Sequence, residues 1–278
     1  MDESKNRAVV PGDGIWQVDL ESGAREQIVP LAEMMSLSPL SSMKGATHYL
    51  EHMTANHSGT HFAFLHRWRH SNGIHSRLLV ARANGSDVRI INDSGRMSHY
   101  CWRDDEHILG YGGLVNPVNK LRRNKLLLKS LFRFALPIYK RLVRDDSPLA
   151  KSLTGDAYLI FDVSGRGKPR MVAPSMRAED GHPAMLPGRH WFVTDTYARA
   201  AKAQKPKLFT VDLGADRSVL LDELGSIAEH DESPTRCDLH PRVSPSGDIV
   251  SIDTMDRRVR GIYAYRLKKV CRDRQIAP

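Results

Sequence analysis

The chain has 278 residues, 41% hydrophobic and 26% charged, with a formal net charge of +9. Those proportions exclude a disordered or collagen-like chain, and no stretch approaches the ~18 uninterrupted apolar residues of a membrane-spanning helix. Three scattered cysteines, Cys101, Cys237 and Cys271, argue against a disulfide framework and suit a reducing compartment.

The opening segment, MDESKNRAVVPGDGIW, has no apolar run of the secretory kind, so a cytoplasmic location is expected. From residue 14 the chain settles into a pattern. GIWQVDLESGAREQIV (14–29) has an alternating apolar run, a Gly-containing turn and a second run, which predicts a β-hairpin. EHMTANHSGTHFAFLHRW follows from Glu51: a histidine, a short step, a polar turn and a β-rich run. A second hairpin phrase, SRLLVARANGSDVRII (76–91), precedes a second histidine phrase, SHYCWRDDEHILGYG from Ser98. After a basic segment come AYLIFDVSGRGKPRMV (157–172), GHPAMLPGRHWFVTDTY from Gly181, KLFTVDLGADRSVLL (207–221) and LHPRVSPSGDIVSIDT from Leu239, and IYAYRL (262–267) supplies half of one more hairpin.

The histidines in register are His52, His99, His182 and His240, separated by 47, 83 and 58 residues. Removing about 35 residues for the basic segment brings the long interval to ~48, the spacing of four-stranded propeller blades. Histidine phrases read as inner strand pairs and hairpin phrases as outer pairs. The expected fold is therefore all-β: a single β-propeller domain over 1–278, with one basic helical insertion at about 114–152. Three complete blades and two partial ones are visible, four or five in all. The start in mid-blade predicts the C-terminal part of a larger ring, the alternative being an unusually small ring.

The basic segment, KLRRNKLLLKSLFRFALPIYKRLVR (120–144), holds nine Lys or Arg and no acid, which accounts for the whole net charge. Its apolar positions from Leu127 to Leu142 recur at helical spacing, with Pro137 as a kink. A basic amphipathic helix can lie on an anionic membrane surface, giving a peripheral membrane association, or pack on the propeller as a solvated insertion. Nucleic-acid binding is not expected, because interleaved exposed aromatics are missing.

At FAFLHRWR, DGHP, TDTY and above all RCDLHPRVSPSGD, the chain resembles the oligogalacturonate-lyase-like group of TolB-type β-propellers, from about Gly12 to Leu267 apart from the insertion. The resemblance implies a divalent metal in the central channel, most often manganese, and cleavage of short acidic (uronate) oligosaccharides by β-elimination. Its metal positions correspond to His99, His182 and His240, with His52 as a fourth; no glutamine here matches the family's glutamine ligand. Several imidazoles at one point also suit zinc or iron. Asp195 and Asp238 would hold the imidazole tautomers and, with Arg242, border the substrate. Arg236 is expected as a catalytic carboxylate clamp and His182 as the base.

Each assignment has a plainer counterpart. A histidine before a strand can cap a turn, and Arg236 and Arg242 can pair with Asp238 or an acid of the next blade. Trp68, Trp102 and Trp191 are expected to pack between blades. The nine other histidines, His48 and His66 among them, follow no register and are expected at the surface or in turns. The alternative function is a non-catalytic propeller that binds a protein or glycan at a membrane surface through its basic helix.

Overall fold

A computed structural model describes residues 10–70, 73–122, 155–177, 179–198, 204–225, 237–255 and 259–267. Seventeen strands in these residues form five antiparallel sheets in chain order. A hairpin, β1 (Gly14–Val18) and β2 (Arg25–Pro30), leads into three four-stranded sheets. The first holds β3 (Thr47–Ala55), β4 (His61–His70), β5 (Gly73–Arg82) and β6 (Arg89–Gly95). The second holds β7 (Met97–Trp102), β8 (His107–Gly112), β9 (Ala157–Asp162) and β10 (Arg170–Val172). The third holds β11 (Ala184–Met185), β12 (Trp191–Asp195), β13 (Lys207–Asp212) and β14 (Arg217–Glu223). A three-stranded sheet of β15 (Arg242–Val243), β16 (Ile249–Thr254) and β17 (Gly261–Arg266) follows. The arrangement is a β-propeller, and the expected series of outer hairpin, complete blades and incomplete final blade is what the described residues form.

The strands bury both faces, which is why their apolar residues run on rather than alternate with polar ones. In β9, Ala157, Leu159 and Phe161 face the preceding blade, packing with Leu65, Leu78 and Val80. Tyr158 and Ile160 between them face the following blade, with Phe192 and Val211. The same division recurs in β4, where Ala63 and Leu65 look one way and Phe62 and Phe64 look back to Ile15 and Val29 of the leading hairpin. A one-residue slip in either strand would exchange the two sets of neighbours and undo both interfaces. Trp102 packs between the first two complete sheets and Trp191, under the Arg217 guanidinium, between the third and the last, as expected, whereas Trp68 is buried against Met43 and Ala46 of the segment before β3. The β5–β6 turn needs Gly85: its φ is +80°, and a Cβ there would lie 2.1 Å from the Ile28 carbonyl oxygen of the leading hairpin.

Two features depart from expectation. A short helix, α1 (Leu31–Ser36), follows β2 and buries Leu31 and Met34. Its C-terminal carbonyls are taken by the buried guanidinium of Arg77, which donates to Leu37 O at 2.8 Å and to Met34 O. A cation at this end of a helix satisfies carbonyls left without an intrahelical partner. Beside it, His48 and His66 are buried rather than at the surface or in turns. Arg77 Nε donates to His66 Nδ1 at 3.1 Å, so His66 Nε2 must donate to His48 Nδ1 at 2.9 Å, and His48 Nε2 to Met43 O at 3.0 Å. Their lack of register was correct, but the location inferred from it was not, because a histidine with both nitrogens bonded is a core residue.

The insertion leaves the propeller between β8 and β9, at the end of the sheet where β7 begins. A second helix, α2 (Pro117–Arg122), starts it, and Asn119 is buried there. Of the amphipathic helix expected over 120–144, residues 123–144 lie outside the described residues. No described helix is long and apolar enough to cross a membrane.

Candidate metal centre

Each histidine in register stands in or just before the first strand of its sheet: His52 in β3, His99 in β7, His182 two residues before β11 and His240 two before β15. Stacking of the sheets brings them into a row. Ring centroids are 5.1 Å apart for His52 and His99, 4.0 Å for His99 and His182, and 4.0 Å for His182 and His240. Two of the four have left-handed backbone, His52 at φ 55° and His240 at φ 42°. Non-glycine residues rarely adopt that conformation, and such outliers concentrate at functional sites. His52 also sits in a β-bulge, where the β3–β4 register shifts between Glu51 and Thr54, so its side chain is aimed differently from its neighbours.

One carboxylate organises the centre. Asp195, at the end of β12 and fully buried, accepts the His182 backbone N–H at 2.6 Å and the His240 backbone N–H at 3.1 Å. His182 Nδ1 lies 2.9 Å from both of its oxygens. Burial on its own would raise the Asp195 pKa, but the His182 ring and the two backbone donors outweigh it and hold the carboxyl below its ordinary value. The glycine of the GHP phrase makes this approach possible. A Cβ on Gly181 would stand 1.9 Å from the Asp195 carbonyl oxygen and 2.8 Å from Thr194 Oγ1. Gly181→Ala is expected to cost about 2 kcal/mol through overpacking and to weaken metal binding, checked by thermal unfolding and metal titration.

The ring nitrogens left over define the chemistry. With Nδ1–H donated to Asp195, His182 keeps its Nε2 lone pair. His240 Nδ1 donates to the Asp238 carbonyl oxygen at 3.1 Å, which frees its Nε2 as well. His182, His240 and the Asp238 side chain present ligand atoms that all lie within 4.8 Å of one another. Two imidazoles and a carboxylate form a donor set that suits iron, manganese or zinc. In this grouping Asp238 provides a donor of its own rather than only orienting a histidine.

His99 is held differently. Its Nδ1 is 2.9 Å from both the Tyr197 and the Ser98 hydroxyls, and 4.0 Å from Asp180 Oδ1. Burial pulls the His99 pKa down, with the Asp180 carboxylate 4.0 Å away acting the other way and His182 adding to the fall. His240 is lowered chiefly by burial and then by His182. Both shifts hold the His99 and His240 rings toward the neutral imidazole form. His52 stands at the end of the row, its Nδ1 2.9 Å from Glu51 Oε1 and its carbonyl accepting the Tyr100 hydroxyl.

Of the other expected residues, Arg242 is mainly exposed, its Nη1 3.6 Å from Asp253 on β16 of its own sheet, where pairing with Asp238 or an acid of the next blade was the expected staple. Arg236 lies outside the described residues. Tyr197 and Asp180 were not singled out from the sequence, although both stand inside the quoted phrases TDTY and DGHP.

Comparison with solved structures places the chain among propellers. An oligogalacturonate lyase in complex with manganese aligns with a TM-score of 0.53 and 13% identity, covering 94% of this chain and 58% of that one. TolB from Acinetobacter baumannii aligns at 0.44 and 11% identity, over 80% of this chain and 54% of its own. A putative TolB from Agrobacterium tumefaciens aligns at 0.43 and 13% identity, over 80% and 60%. The chain spans less than two thirds of the length of each, and at these identities the likeness shows the fold. No family model and no curated protein matches the sequence.

Proposed function

We propose that the chain is a metal-binding, carbohydrate-active β-propeller that acts on acidic (uronate) oligosaccharides by β-elimination. The observation that carries the reading is the convergence of His182, Asp238 and His240, with Asp195 fixing both histidine segments. A divalent ion held by these three, manganese by analogy with the lyase of like fold, would neutralise a uronate carboxylate and make the adjacent C–H acidic.

The chain's own residues supply the rest. His99 is the base in this reading, a role that His182 gives up because its two nitrogens are committed to Asp195 and to the ligand set. The Tyr197 and Ser98 hydroxyls can accept as well as donate, and the Asp180 carboxylate favours a proton on His99 Nδ1, which leaves Nε2 to take one from substrate. Its lowered pKa keeps the ring neutral near pH 7, as a base must be. The non-catalytic alternative rests on residues 120–144, most of which lie outside the described region.

Metal analysis tests this first. Purified protein is expected to hold one manganese, zinc or iron per chain, with affinity reduced about 100-fold in His240→Ala. Incubation with oligogalacturonate should raise the absorbance of unsaturated uronate, and His99→Ala should abolish that rise while retaining metal. A chain that binds no divalent ion, with stability unchanged by chelator, overturns the proposal.

A further inference from the structure

A cavity of about 180 Å³ opens beside His99, between the first two complete blades. At roughly 30 Å³ per water molecule it has room for a ring-sized ligand. Its walls include Arg67, Arg96, Ser98, Tyr111, Asp156 and Asp180. Two residues of this lining, Ser98 and Asp180, also flank His99 Nδ1 together with Tyr197, so the cavity borders the histidine row at His99.

The charges of this cavity are committed unevenly. Arg96 Nε lies 2.8 and 2.9 Å from the two oxygens of Asp156, which is almost wholly buried. Arg67 Nε stands 2.6 Å from Glu51 Oε1. Both guanidiniums are thus matched by carboxylates. Asp180 is the acid of this lining that faces a histidine instead of a guanidinium: its buried Oδ1 is 4.0 Å from His99 Nδ1 and makes no hydrogen bond. A buried acceptor in that condition favours a ligand that donates. An excess negative charge also disfavours a second carboxylate, so a hydroxyl is the matching group.

We infer that this cavity is a subsite for a neutral, hydroxyl-bearing sugar ring next to the acidic unit at the histidine centre, with Asp180 as the hydroxyl acceptor. The inference rests on the uronate reading above and sharpens it: the favoured oligosaccharide joins an acidic unit to a neutral one. Asp180 then sets specificity through the charge it presents, not through the metal.

Calorimetric titration of the manganese-loaded protein with two disaccharides tests this. One is an aldobiouronic acid, a uronate linked to a neutral hexose, and the other is digalacturonate. The first is expected to bind about tenfold more tightly, the worth of one hydrogen bond to a charged acceptor. Asp180→Asn should weaken the first and strengthen the second, leaving them within about twofold of each other. A purely structural role for Asp180 would move both affinities in the same direction. That result, or no change in either, overturns the inference. If manganese binds but neither disaccharide does, the uronate reading fails, and neutral galactobiose then probes the cavity alone. Galactobiose binding weakened by Asp180→Asn supports the subsite, and absence of galactobiose binding overturns it.

Discussion

Asp195→Ala is expected to abolish stoichiometric metal binding and to lower stability by about 3–5 kcal/mol. The size follows from what the carboxylate does. It accepts two backbone N–H groups and one ring N–H within a fully buried setting, and alanine would leave all three without a partner. It also joins two blades, since His182 leads into β11 and His240 into β15. Asp195→Asn separates the two effects. An amide can still accept one backbone N–H, but its NH2 then faces the other donor, so part of the stability returns while the His182 tautomer is lost. Metal content of both variants and their thermal midpoints measure this. A variant that keeps full metal occupancy would show that Asp195 does not position the ligands.

The second large effect concerns acid. His66 is fully buried, and burial, followed by Arg77 and then His48, lowers its pKa to about 3. The unfolded chain would protonate it near the ordinary value of about 6.5. Between those pH values the unfolded state binds a proton that the native state does not, so stability falls as pH falls and is constant above about 6.5. The slope for one such group is at most about 1.4 kcal/mol per pH unit. Going from pH 6.5 to 4.5 is therefore expected to cost about 2 kcal/mol, or roughly 5 °C in midpoint. His66→Gln supplies an oxygen for Arg77 Nε and an NH2 for His48 Nδ1, keeping the chain of donors without the titration. Its midpoint should fall less over the same range, and an equal fall in both proteins would assign the acid sensitivity elsewhere.

The connection between these histidines and α1 shows where sequence reasoning stopped. Period-two runs that are apolar on both faces announce β9 and β4 as buried strands, because every position of such a strand meets one neighbouring blade or the other. His66 lies inside one of these runs, FAFLHRW, and that position was a signal of burial. The missing fact was its donor, Arg77 on the next strand, which acts jointly with the carbonyls of a helix that no periodicity marked. A six-residue helix is too short for its spacing to be read, and its stability comes from packing and from Arg77.

For the site, the sequence singled out the phrases that matter. GHP, TDTY and DLHPR contain His182, Asp195, Tyr197, Asp238 and His240, and the Gly before His182 is there because no side chain fits against Asp195. Asp238 was read as orienting a histidine and bordering the substrate, and its carboxylate lies within 4.8 Å of donor atoms of His182 and His240. His52, read as a fourth metal position, stands at the end of the row beside Glu51.

The hairpin phrases and the recurrent histidine thus determined the class of fold and the order of the sheets seen among the described residues, with the number of blades left at four or five. Strand pairing in a blade is local, and alternation with turn chemistry suffices to write it down. Which atoms face each other at the centre was decided only by the tertiary structure. It depends on a bulge at His52, left-handed backbone at His52 and His240, and the packing of neighbouring sheets that sets the rings 4.0–5.1 Å apart. The residues concerned lie up to 188 positions apart, from His52 to His240, and no periodicity along the chain encodes how they meet.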